Sequence, residues 1–268
     1  MKNFNILILL FSINGIGQIL EKAEIKKNKQ DSLINLFASN CASNYNYNYE
    51  MEEWQNCLDE GLKKDSTVAK FWQMKAMPYF KSRKYEIGMQ YIDKAVLYDP
   101  KEWQPYRAFI KCIFAKTYRE AIIDFEDCVK KFGNNYVMDH TYNFYIGLSY
   151  LQLNEYEKAE KLFKEYNDDL YRKRDKLEHP TALFYYGIAL YEQKKYKEAI
   201  VEFDKALKIY TNYSDAKCYK AYSLNRLGIK ENINKLFDEA EQDFKKGYKI
   251  SEYNSAYETY PYQVKWEQ

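Results

Sequence analysis

One phrase recurs along this chain at a period that leaves few folds open. Its clearest copy is Lys195-Tyr-Lys-Glu-Ala-Ile-Val-Glu-Phe-Asp-Lys-Ala-Leu207. Tyr196, Ala199, Ile200, Phe203, Ala206 and Leu207 fall three or four apart, so they share one face of a helix. Tyr85-Glu-Ile-Gly88 leads likewise to Ile92, Tyr118-Arg-Glu-Ala121 to Phe125, Tyr156-Glu-Lys-Ala159 to Phe163, and Phe237-Asp-Glu-Ala240 to Phe244. The small residues step by 33 (88 to 121), 38 (121 to 159), 40 (159 to 199) and 41 (199 to 240). Helical patterning at that period predicts stacked helices, each unit burying its apolar face on the next.

Each copy is preceded by a second helical pattern. The best runs from Pro180 through Leu183, Tyr186, Gly187 and Leu190 to Gln193. Tyr145, Gly147, Tyr150 and Leu153 match it one copy upstream, as do Trp72, Ala76 and Tyr79 further back. A mid-helix glycine costs about 1 kcal/mol relative to alanine. Gly147 and Gly187 therefore predict close approach of a partner helix. Gly61, Gly88 and Gly247 are expected in small slots of the second helices, and Gly133 and Gly228 where a helix stops.

Tyr186-Gly187-x-x-Leu190 with Ala199-x-x-x-Phe203-x-x-Ala206 resembles the tetratricopeptide repeat family, and so do Trp72, Tyr79, Ala95 and the closing Asp99-Pro100. The resemblance implies an all-α fold, a right-handed α-solenoid of antiparallel helix pairs. Repeats are expected over 69–254, at about 69–102, 103–135, 140–173, 180–213 and 214–254. A degenerate capping pair is expected over 31–68, and a tail or capping segment over 255–268. Several places depart from the pattern. Asp168 to Glu178 reads as a long charged linker, and Ile229 to Leu236 as an insertion in the last turn. Pro78 predicts a kink or an early break. Trp54 stands where a small residue belongs. The tail, with Tyr257, Tyr260, Tyr262 and Trp266, is expected to form a final helix or a strap over the last repeat's apolar face.

The first residues read differently. Lys2, the apolar run Ile6 to Phe11 and the small residues Gly15 and Gly17 predict a signal peptide over 1–17, cut before Gln18, with a linker over 18–30. The chain is then secreted or periplasmic, and the leader has no cysteine for a lipid anchor. Its apolar run is far shorter than the roughly 20 residues of a membrane-spanning helix. Among five cysteines, Cys41 and Cys57 lie level across the turn at Asn44 to Tyr49, which predicts a disulfide. Cys112 and Cys128 are equally spaced, but their turn lies near Cys112. They are offset by about seven residues, or about 10 Å, beyond disulfide reach.

Chemistry finds little support. With 41 basic and 39 acidic residues spread along the chain, no basic stripe marks a nucleic-acid binder. The two histidines, His140 and His179, sit at repeat boundaries and outside any familiar metal-ligand spacing; no nucleophile elbow or phosphate loop appears. No catalytic residue, cofactor or metal is expected. The resemblance instead implies a groove, lined by the first helices, that takes a protein or peptide partner. Carried over, its positions are Gln73, Met77 and Phe80, then Arg107, Lys111 and Phe114, then Phe144, Leu148 and Leu151, then Tyr185, Ile188 and Tyr191, then Tyr222, Asn225 and Arg226. Arg107 and Lys111, four apart, are placed to hold a carboxylate. The leading expectation is a non-catalytic scaffold of the cell envelope. The alternatives are a self-assembling structural protein and, suggested only by the 29 tyrosines, a glycan-binding or glycan-processing accessory. A further reading has the tail or a second subunit filling the groove.

Overall fold

The computed structural model describes residue 18, residues 21–173 and residues 176–266. The expected leader, residues 1–17, lies outside them. The chain is all-α, built of helices that pack in adjacent antiparallel pairs, and divides into two compact units, one ending at Trp103 and one beginning at Gln104. Among the described residues no helix is long and apolar enough to cross a membrane.

The first unit opens with helix α1, residues 21–34, which passes into a π turn at Asn35–Ser39. The expected linker is thus helical over 21–30. A short turn at Ala42–Asn44 leads to α2 (Met51–Lys64), α3 (Ala69–Lys81) and α4 (Tyr85–Tyr98). Ala38, Ala42, Trp54, Leu58, Val68 and Phe71 form its core. Cys41 and Cys57 are joined by a disulfide with Cα atoms 5.8 Å apart.

Trp54 and Pro78, both departures from the repeat, explain each other. Proline has no N–H for the carbonyl four residues back, here that of Met74. The Trp54 indole N–H donates to that carbonyl at 3.3 Å. Helix α3 therefore does not break early but runs through Pro78 to Lys81.

The division falls within α5 (Pro100–Ile110), which continues as a π turn over Lys111–Ala115. Then come α6 (Tyr118–Phe132), a hairpin of β1 (Tyr136–Val137) and β2 (His140–Thr141), and α7 (Tyr142–Gln152). The chain goes on through α8 (Tyr156–Lys173), α9 (Pro180–Glu192), α10 (Tyr196–Ile209), α11 (Ser214–Arg226) and α12 (Ile233–Lys245). The linker expected from Asp168 is helical to Lys173. Asp168 pairs with Lys164 at 2.8 Å, and Asp169 with Arg172 and Lys173 at 2.6 Å each, the three- and four-residue spacings that support a helix. The last insertion is likewise helical from Ile233.

A Cβ on Gly187 would stand 2.5 Å from Phe203, which is fully buried in α10 and has nowhere to go. Gly187→Ala is expected to lower stability by about 1–2 kcal/mol in urea titration, overpacking outweighing the helix-propensity gain. Gly147→Ala, with 3.0 Å to Phe163, should cost less. Gly247 is no packing slot: it lies past the end of α12 with φ +89° and open space around it. That turn sends the chain back along the second unit as a strap without helix, from Lys246 to Trp266.

Candidate functional site on the first-helix face

The strap is held at several points by residues of the first helices and the segments leading into them. Its anchor is Asp215, fully buried in the first turn of α11. One carboxylate oxygen accepts the Ile250 N–H at 2.8 Å and the other the Val264 N–H at 2.7 Å. Beside it the Ser214 N–H donates to the Tyr248 carbonyl at 3.1 Å. Tyr185, from the middle of α9, donates its hydroxyl to the Pro261 carbonyl at 2.9 Å. The Tyr253 N–H donates to Asp139 in the hairpin turn at 3.1 Å, Lys116 pairs with Glu258 at 3.4 Å, and Tyr262 packs on Tyr219. Ile250 and Tyr260 are buried. Burial pushes the Asp215 carboxyl up to about 6, against the opposing pull of the two N–H donors.

The expected groove residues are therefore placed differently from an open lining. In the first unit Phe80 is core, packed on Gly88, and Gln73 is buried. In the second unit Phe114, Phe144, Leu148, Leu151, Tyr185 and Ile188 are buried, while Tyr191 is half-buried between Tyr196 and Tyr219. Arg107 and Lys111 do hold a carboxylate, but it belongs to α6. Arg107 grips Asp124 with two hydrogen bonds at 2.7 and 2.8 Å, and Lys111 donates to it at 2.9 Å. Tyr222, Asn225 and Arg226, at the end of α11, are exposed. The strap, expected over the last repeat alone, also reaches α9, the hairpin and the turn before α6.

Under the strap lies a polar cluster. The hairpin register, Val137 opposite His140, sets His140 just ahead of α7, where its ring stacks on Phe144 at 3.6 Å. His140 Nδ1 hydrogen-bonds the Tyr166 hydroxyl at 2.8 Å, and Nε2 hydrogen-bonds Glu252 of the strap at 3.1 Å. His179, the residue before Pro180, closes the group with its ring 4.9 Å from that of His140. Burial, with His140 nearby, pushes the His179 pKa down to about 4, so its imidazole is neutral at physiological pH. Local spacing gave no sign of this cluster. A signal was present nonetheless: the histidines are 39 residues apart (140 to 179), one repeat, and each precedes a first helix.

The three free cysteines are buried. Burial pushes Cys112 and Cys128 up to about 12 and Cys218 up to about 11. The thiolate is the reactive form, so these thiols are packing groups at neutral pH.

The class these features define is an all-α fold of adjacent helix pairs. Residues 180–213, spanning α9 and α10, match the tetratricopeptide repeat family model. Among solved structures the fold is similar to PilW, described as a widely conserved type IV pilus biogenesis factor, with a TM-score of 0.62 and 14% identity over 81% of this chain and 94% of that one. A tetratricopeptide repeat protein of Parabacteroides merdae has a TM-score of 0.62 and 13% identity, covering 81% of this chain and 80% of its own. PilF of Pseudomonas aeruginosa has a TM-score of 0.58 and 14% identity, covering 83% and 93%. At these identities the likeness is one of fold. No curated protein matches the sequence.

Proposed function

We propose that this protein is a non-catalytic scaffold of the cell envelope that binds an extended protein segment on the first-helix face of its second unit. One observation carries the reading: that face already holds a non-helical run of polypeptide, turned over 253–258 and again at 261–262. The strap is gripped largely through its backbone, by Asp215, Tyr185 and Asp139, which is how a groove takes peptides of varied sequence. The strap acts as a resident ligand, and a partner enters at the uncovered end, where Tyr222 is 42% exposed beside Arg226. Tyrosine and arginine are frequent anchors of interfaces. The leader expected from the sequence and the Cys41–Cys57 disulfide would both suit an oxidising compartment outside the cytosol.

The test is capture of partners from the native envelope fraction by the full chain, with a synthetic peptide of residues 248–266 as competitor. Excess peptide is expected to release the partner. The Tyr222→Ala/Arg226→Ala double variant is expected to weaken capture at least about tenfold. Tyr222 also packs on Tyr219 and Phe237, so the urea midpoint of the variant is measured alongside to separate lost binding from lost stability. A partner held equally by the double variant and untouched by the peptide would place binding elsewhere.

A further inference from the structure

We propose that His140, His179 and Glu252 form a binding site for one divalent transition-metal ion of the zinc class, which fastens the strap to the repeat. Each residue offers a ligand atom, and the three atoms all lie within 4.8 Å of one another. Two imidazoles and a carboxylate are a common donor set for zinc and leave a fourth position for water. The donors come from three separate segments: the hairpin, the loop before α9 and the strap.

The surroundings favour a cation. His140 and Glu252 are buried, and the Glu252 Oε1 and His179 Nδ1 atoms are also buried, without a hydrogen-bond partner among the described residues. Glu252 Oε1 is an acceptor, and so is His179 Nδ1 when the ring proton sits on Nε2; buried acceptors are rarely left unsatisfied. The chain has only two histidines, and both stand here. The outer contact is the one a metal-bound imidazole needs. With the ion on His140 Nε2, the ring proton sits on Nδ1, where the Tyr166 oxygen lies 2.8 Å away.

The strap supplies one ligand and the repeat two, so the ion would tie the tail to the face it covers. This proposal does not depend on the scaffold reading, because a metal clasp would hold the strap whatever the face binds.

The test uses the full chain after exhaustive dialysis against a chelator. Calorimetric titration with Zn²⁺ is expected to give one ion per chain. Co²⁺ is expected to give the visible absorption of a four-coordinate nitrogen and oxygen site, without a thiolate charge-transfer band. Zn²⁺ should raise the thermal midpoint and slow proteolysis of the strap. Glu252→Gln, nearly isosteric, and His179→Ala are each expected to weaken binding by more than about tenfold, with circular dichroism confirming that both fold. Tyr166→Phe should weaken it less. No binding of Zn²⁺ or Co²⁺ to the wild-type chain would overturn the site. So would affinity unchanged in both ligand variants, or a cobalt spectrum dominated by thiolate.

Discussion

A chain ending at Lys246 is expected to lose on the order of 5 kcal/mol of stability in its second unit. Truncation removes Ile250 and Tyr260, both buried, and burying each such side chain contributes roughly 1.5–3 kcal/mol. It also bares the face beneath. Tyr185 loses the acceptor of its hydroxyl, and Asp215 loses both N–H donors. Against a total domain stability of about 5–15 kcal/mol, a loss of this size leaves the unit marginal. Urea titration followed by tyrosine fluorescence measures it, and binding of a hydrophobic dye reports the bared aromatic face. An unchanged urea midpoint with no dye binding would mean that the strap does not dock in solution, and the resident-ligand reading would fall with it.

The repeat was readable from the sequence because its physics is local. Tyr85, Tyr118, Tyr156 and Tyr196, the first residues of the recurrent phrase, are the first residues of α4, α6, α8 and α10. An aromatic, a small residue three on and a large apolar residue four further determine which face is buried, whatever lies elsewhere. Gly187 against Phe203 follows from the same register. The strap is different. Its residues carry no period, and its contacts span 76 residues from Tyr185 to Pro261 and 112 from His140 to Glu252. Nothing in a short window marks Asp215 as the acceptor for two strap N–H groups. Arg107 and Lys111 show a third case. Their type and spacing correctly suggested a carboxylate, but the nearest candidate, Asp124 on the next helix, was already in the chain. An internal partner one helix away should be weighed before an external one. The early break read at Pro78 failed for the same reason: the donor at the freed carbonyl is the Trp54 indole, 20 residues upstream of the carbonyl it serves.

Asp215→Ala is expected to release the strap at two points and to cost about 3 kcal/mol. The substitution leaves the Ile250 and Val264 N–H groups without their acceptor, at roughly 1–3 kcal/mol for each that stays buried, partly offset because a carboxylate no longer has to be kept from water. Hydrogen exchange should speed up at Ile250 and Val264, and protease should cut within residues 250–264 while α9 to α12 stay intact. The same residue gives a pH signature. Its carboxyl is raised by burial from 3.8 to about 6, so the folded chain holds that proton more tightly than the unfolded one. This contribution is present in full below about pH 4 and is lost as pH rises through 6, a change of about 3 kcal/mol at about 1.4 kcal/mol per pH unit. The stability of the wild type relative to Asp215→Asn should therefore decline from pH 4 to pH 7, as read from urea midpoints across that range. A difference that grew with pH would mean that the two strap N–H groups outweigh burial and hold the carboxyl ionised. Asp215 would then be a stronger anchor at neutral pH than its burial allows.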